Sequence, residues 1–93
     1  MTRAELIETI AEETNLNVKD VTRVIRLFTD KVTETVSLGE KITISGFGTF
    51  EKRRRKATFA RNHKTGETMP IAEQNVATFR AGTAFKQAVK SVD

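Results

Sequence analysis

The chain has 93 residues, with sixteen Lys/Arg against twelve Asp/Glu, one histidine, six phenylalanines and no cysteine. That length bounds it to one small domain. The lack of cysteine excludes disulfides and thiolate metal sites, and a single histidine is too few for a zinc cage. The formal charge of +4 is unevenly spread: residues 1–50 hold six Lys/Arg and eight Asp/Glu, residues 51–66 seven against one, and residues 67–93 three of each, so one short segment is concentrated for a polyanion.

Thr2-Arg3-Ala4-Glu5 reads as a capping box, the Thr2 hydroxyl accepting from the third-residue amide while Glu5 reaches back. Leu6, Ile7, Ile10 and Ala11 then recur at helical spacing and predict a helix of about three turns. Asn15 to Asn17 break it, and Asn17 suits the N-cap of a second helix. Val21, Val24, Ile25, Phe28, Val32 and Val36 carry that helix over residues 18–38, and Gly39 suits the left-handed position after it.

The period then switches to two. Ile42 and Ile44 alternate with Lys41, Thr43 and Ser45, as in a half-buried strand. Gly46 and Gly48 bracket a turn into the next strand. Phe47 and Phe50 are three apart and would face opposite ways in a regular strand, so a bulge or kink at Gly48 is expected to bring both to one core.

A second strand, Thr49 to Lys56, changes within two residues from core-like to basic. Alternation puts Arg53 and Arg55 on one face, and Lys52, Arg54 and Lys56 on the other. A flexible polar tip follows at Arg61–Glu67, where Lys64-Thr65-Gly66-Glu67 has hairpin-turn character. Ile71, Val76 and Phe79 mark an extended return path that ends at Gly82. Thr83 is then expected to cap a short helix, with Phe85, Ala88, Val89 and Val92 inward and Lys86 and Lys90 outward.

These elements make an α+β fold: two N-terminal helices, a three-stranded antiparallel sheet with a protruding β-ribbon arm, and a short C-terminal helix. Residues 1–93 form one domain, with a helical dimerisation body and first strands over 1–51, the arm over 52–75, and the return strand and last helix over 76–93. Only about 70 residues remain to pack once the arm extends, and a core that small usually needs reinforcement. With disulfides and metal excluded, self-association into a homodimer is the expected route. No apolar run is long enough to span a bilayer, and Arg3, Glu5 and Glu8 interrupt any signal sequence, so a cytoplasmic location is expected.

The Gly46-Phe47-Gly48-Thr49-Phe50 turn and the Arg61-Asn62…Lys64-Thr65-Gly66 tip resemble the HU/integration-host-factor family of bacterial DNA-bending proteins. The helix pair and the Phe79-Arg80-Ala81-Gly82 approach to the last helix extend the resemblance over essentially the whole chain. Arm and tail (Thr65-Gly66-Glu67…Pro70-Ile71, Thr78-Phe79-Arg80) lean toward the integration-host-factor branch.

The resemblance implies an intertwined homodimer, or a heterodimer with a paralogue, whose two arms wrap the minor groove. Members of this family are themselves standard examples of that mechanism. It further implies association with the nucleoid, double-stranded DNA as partner, and no cofactor, membrane or small-molecule substrate. Two positions depart from the family pattern: His63 stands where a proline usually follows Arg-Asn, and Thr83 where a lysine often opens the last helix. The only proline, Pro70, lies on the return strand.

By family position Arg53 and Arg55 face DNA. The bland reading of residues 52–56 is a solvated strand face that protects an edge, but five consecutive cations exceed that need. Arg61 and Asn62, beside Lys64 and Thr65 at the tip, read as minor-groove residues, since Arg suits a narrow negative groove and Asn can bond A·T acceptors. His63 is either an ordinary exposed loop residue or a flat ring partly stacked on a base step. Arg80, Lys86, Arg3 and the Gly46 turn form a second DNA-contacting set on the body, with scattered surface cations as the alternative.

Phe28, Phe47, Phe50 and Phe79 read as dimer core rather than base-stacking platforms, and Phe85 joins them. Phe59, between basic patches, either covers the root of the arm or contacts sugar, and Met69 is apolar cover. Catalysis has no support, because Glu12 and Glu13 are helix neighbours that point apart and the Gly46/Gly48 pair does not open a helix. The expected function is to bend and compact duplex DNA with little sequence preference. A sequence-specific bender and a small basic RNA-binding protein are the alternatives, and a pure scaffold leaves the basic segment unexplained.

Overall fold

The computed structural model describes residues 1–91, so Val92 lies outside the described residues. The chain divides into two compact units, Met1–Glu34 and Thr35 onward, with the division inside the second helix.

In the first unit, α1 (Arg3–Thr14) opens where the Thr2 hydroxyl accepts from the Glu5 amide at 3.2 Å. It closes at Asn15, whose φ of 62° is left-handed, a conformation that Asn tolerates better than most residues. Asn17 then caps α2 (Val18–Ser37): its Oδ1 accepts from the Asp20 amide at 2.8 Å, satisfying one of the orphan donors of a helix start. Ile7, Ala11 and Val21 form the buried cluster, flanked by Ile10 and Ile25. The stripe expected along α2 is only partly buried. Val21 is 3% exposed, but Val24 is 65% and Phe28 43% exposed, because the unit offers apolar cover to only one side of the stripe.

In the second unit, the end of α2 is a Schellman arrangement. The Gly39 amide donates to Val36 O at 2.9 Å and the Glu40 amide to Thr35 O at 3.2 Å, with Gly39 at φ 94°. Five strands follow where three were expected. β1 (Ile42–Ile44), β2 (Gly48–Arg55) and β5 (Gln74–Ala81) form an antiparallel sheet in the order β1-β2-β5. β3 (Thr58–Arg61) and β4 (Thr68–Ile71) form a separate two-stranded ribbon. The return path is interrupted at Ala72-Glu73 opposite a break at Lys56-Ala57, which is why one long strand becomes two on each side.

Strand β1 pairs only with Gly48 to Phe50, whereas β2 and β5 stay paired out to Arg55↔Gln74. Beyond Phe50 the sheet is therefore already a two-stranded ribbon. The bulge or kink expected at Gly48 is absent from the ladders, since both reach Gly48, the first residue of β2, without a skipped residue. Phe47 instead belongs to the turn: its amide donates to Ile44 O at 2.9 Å, and Gly46 takes the positive φ of 82° that the turn requires. Phe47 thereby leaves the strand alternation and reaches the same side as Phe50, with ring centroids 6.4 Å apart.

The rings of Phe47, Phe50 and Phe79 meet Phe85 of α3 (Thr83–Lys90), with Phe50–Phe79 centroids at 4.8 Å and Phe47–Phe85 at 5.4 Å. These are tilted pairs at the favourable spacing for aromatic edges and faces. The N-cap of α3 is Gly82, without a side-chain hydrogen bond, and Thr83 is the first helical residue rather than the cap. No residue of α3 is buried, and Val89, expected inward, is 71% exposed. Its apolar face extends past the rings that one chain supplies.

Candidate nucleic-acid interface

Strand alternation fixes two faces on the β2–β5 ribbon. Phe50, Lys52 and Arg54 share the aromatic side with Phe79, Ala77 and Asn75. Thr49, Glu51, Arg53 and Arg55 share the other with Arg80, Thr78, Val76 and Gln74. The basic run is thus split, and its two halves have different surroundings.

The cations on the aromatic side are engaged within the chain. Lys52 Nζ donates to Ser37 O at 3.2 Å, a cation at the carbonyl end of α2, where the helix dipole favours positive charge. Arg54 Nε donates to Glu73 Oε1 at 2.8 Å across the break in the strands. Both members of that pair are well exposed, so it contributes at most about 1 kcal/mol.

On the opposite face, Arg53 only approaches Glu51, with Nη2 3.8 Å from Oε1. Among the described residues Arg55 and Arg80 make no side-chain hydrogen bond or ion pair. This face therefore presents three cations, Arg53, Arg55 and Arg80, against the single nearby counter-charge of Glu51.

The ribbon beyond the break pairs Thr58↔Ile71, Phe59↔Pro70, Ala60↔Met69 and Arg61↔Thr68. Its tip, expected to be a flexible loop, carries its own hydrogen bonds. The Asn62 amide donates to Glu67 O at 2.8 Å and the Gly66 amide to Asn62 O at 2.7 Å. Asn62 Oδ1 accepts from the Lys64 amide at 2.9 Å, and Thr65 Oγ1 accepts from the Glu67 amide at 3.3 Å. Thr65 thus belongs to the turn read at Lys64–Glu67, and Asn62 has a turn-forming role that was not expected, although Asn at such spacing is a known turn former.

The Asn62 carboxamide nitrogen and the side chains of Arg61, His63 and Lys64 make no contact of this kind among the described residues and are exposed. Phe59 is 71% and Met69 56% exposed. Met69 is not the apolar cover expected of it, and of the two roles expected for Phe59 the covering one is not seen, because a two-stranded ribbon has nothing behind it to cover.

The second set is only partly gathered. Arg80 lies on the Arg53/Arg55 face, Lys86 is exposed on α3, and Gly46 sits in the turn beside α3, where a Cβ would be 3.9 Å from that of Ala84. Arg3 opens α1 and belongs to the other unit. Of the expected dimer core, Phe47, Phe50 and Phe79 cluster, with Phe47 and Phe79 about two-fifths exposed, while Phe28 is in the first unit. No group of three or more His, Asp or Glu that could hold a metal occurs among the described residues, and no described helix is long and apolar enough to cross a membrane.

A family model for bacterial DNA-binding protein matches residues 1–90. Integration host factor subunit alpha of Acinetobacter baumannii is 39% identical over 89 residues, covering 96% of this chain and 91% of that protein. DNA-binding protein HU of Geobacillus stearothermophilus is 42% identical over 90 residues, covering 97% and 100%. Among solved structures, an HU–DNA cocrystal from Anabaena superposes with a TM-score of 0.88 at 39% identity, covering 97% of this chain and 98% of that one. HU from Thermotoga maritima superposes at 0.69 with 28% identity, covering 97% and 100%.

Proposed function

This chain belongs to the bacterial DNA-binding protein family, and from that premise we propose that it is an architectural protein that binds double-stranded DNA as a dimer. It bends and compacts the duplex through β-arms laid in the minor groove, with little preference for base sequence. The observation that carries this reading is the face bearing Arg53, Arg55 and Arg80, which leads by way of the ribbon to Arg61 and Lys64 and meets almost no internal counter-charge. Such a surface gains its binding energy by releasing counterions from phosphate. The similarity to the protein of an HU–DNA cocrystal supports duplex DNA as the polyanion, and a bacterial DNA partner supports a cytoplasmic location with the nucleoid.

The dimer follows from what one chain leaves uncovered. Phe47, Phe79 and Phe85 are each about two-fifths exposed. At roughly 25 cal/mol per Å² and some 200 Å² per ring, covering that fraction is worth about 2 kcal/mol each. Val24 and Phe28 offer a further apolar surface on the first unit.

If each protomer neutralises about four phosphates, the logarithm of affinity falls with the logarithm of salt at a slope of roughly −7 for the dimer. A gel-shift series over salt, on a duplex and its scrambled counterpart, tests this. A slope near −2 overturns the phosphate-tracking surface, and discrimination of more than about a hundredfold between the two duplexes overturns the non-specific reading.

A further inference from the structure

We infer that Phe59 and Pro70 form a single apolar contact, partway along the arm, that lies against the deoxyribose edges of the minor groove. This inference rests on the proposed duplex-binding function and adds to it a contact that is not electrostatic.

The ladder brings the two rings together. Phe59 stands directly across from Pro70, and Arg61, two residues on, stands across from Thr68, so all four share one ribbon face. Thr58, Ala60, Met69 and Ile71 take the other. The bond from the Asn62 amide to Glu67 O sets the phase of the ladder. Counting back from it, Arg61↔Thr68 is a non-hydrogen-bonded pair, Ala60↔Met69 a bonded pair and Phe59↔Pro70 again non-bonded.

Proline, which has no N–H to donate, is accommodated only at such a position. Non-bonded pairs also bring their side chains closest. The phenyl and pyrrolidine rings are therefore neighbours on a face that nothing in the chain covers, with Phe59 71% exposed.

Charge selects the occupant. Phe59 lies within residues 51–66, which hold seven Lys/Arg and one Glu, with Pro70 paired across from it, and Arg61 flanks both rings on their own face without a partner among the described residues. An apolar band bounded by cations is complementary to a groove whose walls are sugar C–H edges and whose rims are phosphates. An apolar protein surface would leave those cations without counter-charge.

The test compares Phe59→Thr, which keeps β propensity, with Met69→Thr on the opposite face, using the full-length protein on a short duplex. Phe59→Thr is expected to lose affinity by about a hundredfold, because the homodimer loses two ring contacts with nucleic acid at about tenfold each. Its salt slope should be unchanged because no charge is removed. Phe59→Leu should restore most of the loss, and Met69→Thr should bind like the parent.

Parent-like affinity for Phe59→Thr, or an equal loss in Met69→Thr, overturns the inference while leaving the parent's steep salt slope, and thus the proposed function, intact. A parent protein that ignores duplexes overturns both. Thermal unfolding of the free variants excludes a folding effect: a loss of affinity matched by a loss of folded protein counts against the contact, and Pro70→Thr then repeats the comparison from the other strand.

Discussion

A Cβ on Gly48 would stand 2.5 Å from Cζ of Phe79 and 2.7 Å from the carbonyl oxygen of Arg80. The Phe79 ring thus occupies the space a side chain at position 48 would need. From there it reaches Phe47 at 5.2 Å as well as Phe50 across the ladder. The Arg80 backbone cannot yield as a flexible side-chain end would. Gly48→Ala is therefore expected to destabilise the protein by about 2 kcal/mol, within the range for overpacking a well-filled site. Urea unfolding should show a lowered midpoint with an unchanged slope. An unmoved midpoint would mean that Phe79 has room to swing aside.

The Asn62 side chain has two separable ends. Its Oδ1 holds the Lys64 amide, and its amide nitrogen is free to meet a groove acceptor. Asn62→Asp keeps the acceptor and adds a negative charge, whereas Asn62→Ala removes the acceptor. Amide exchange at Lys64 should stay slow in the aspartate variant and quicken in the alanine variant, while both lose duplex affinity. Equal exchange in the two would show that the turn does not depend on this bond.

The first two helices and their caps were legible in the sequence because Thr2, Asn17 and Gly39 act on amides or carbonyls within a few residues, whereas Thr83, expected to cap α3, is its first residue and Gly82 takes the cap. The turn at Gly46 was legible in place but not in geometry: Phe47 joins Phe50 by leaving the strand, not by a bulge within it. Two-residue alternation separated Arg53 and Arg55 from Lys52 and Arg54 without a structure. What alternation could not give was the cross-strand partner, since Arg54 meets Glu73 nineteen residues away and Phe59 meets Pro70 only once the length of the tip fixes the register. The apolar faces of α2 and α3 misled in another way. Their periodicity records every apolar partner the chain acquires, and a single chain buries only part of them.

Phe85 lies 5.4 Å from Phe47 and 6.0 Å from Phe79, yet is itself more than a third exposed. If a second chain covers it, Phe85→Ala removes a contact in each protomer, at about 3 kcal/mol per copy for a buried ring. Sedimentation of the variant at micromolar concentration should then reveal monomer where the parent is a dimer, with an unfolding midpoint that rises with protein concentration. A variant that stays dimeric and loses only thermal stability would place Phe85 in the core of the chain alone.

The two faces of the basic strand make opposite commitments, and salt dependence can separate them. Arg53 and Arg55 face away from the rings with one weak approach to Glu51, while Lys52 and Arg54 are held by Ser37 O and Glu73. In a homodimer each substitution removes two cations. Arg55→Gln should therefore flatten the dependence of log-affinity on log-salt by about 1.8 if both copies contact phosphate. Arg54→Gln should change the slope much less, because its guanidinium is turned to the other face and already paired. It also frees Glu73, so its affinity should fall modestly at low salt through added repulsion and recover as salt screens it. Equal slope changes from Arg54→Gln and Arg55→Gln would mean that the ribbon binds with both faces and that strand alternation does not sort its arginines.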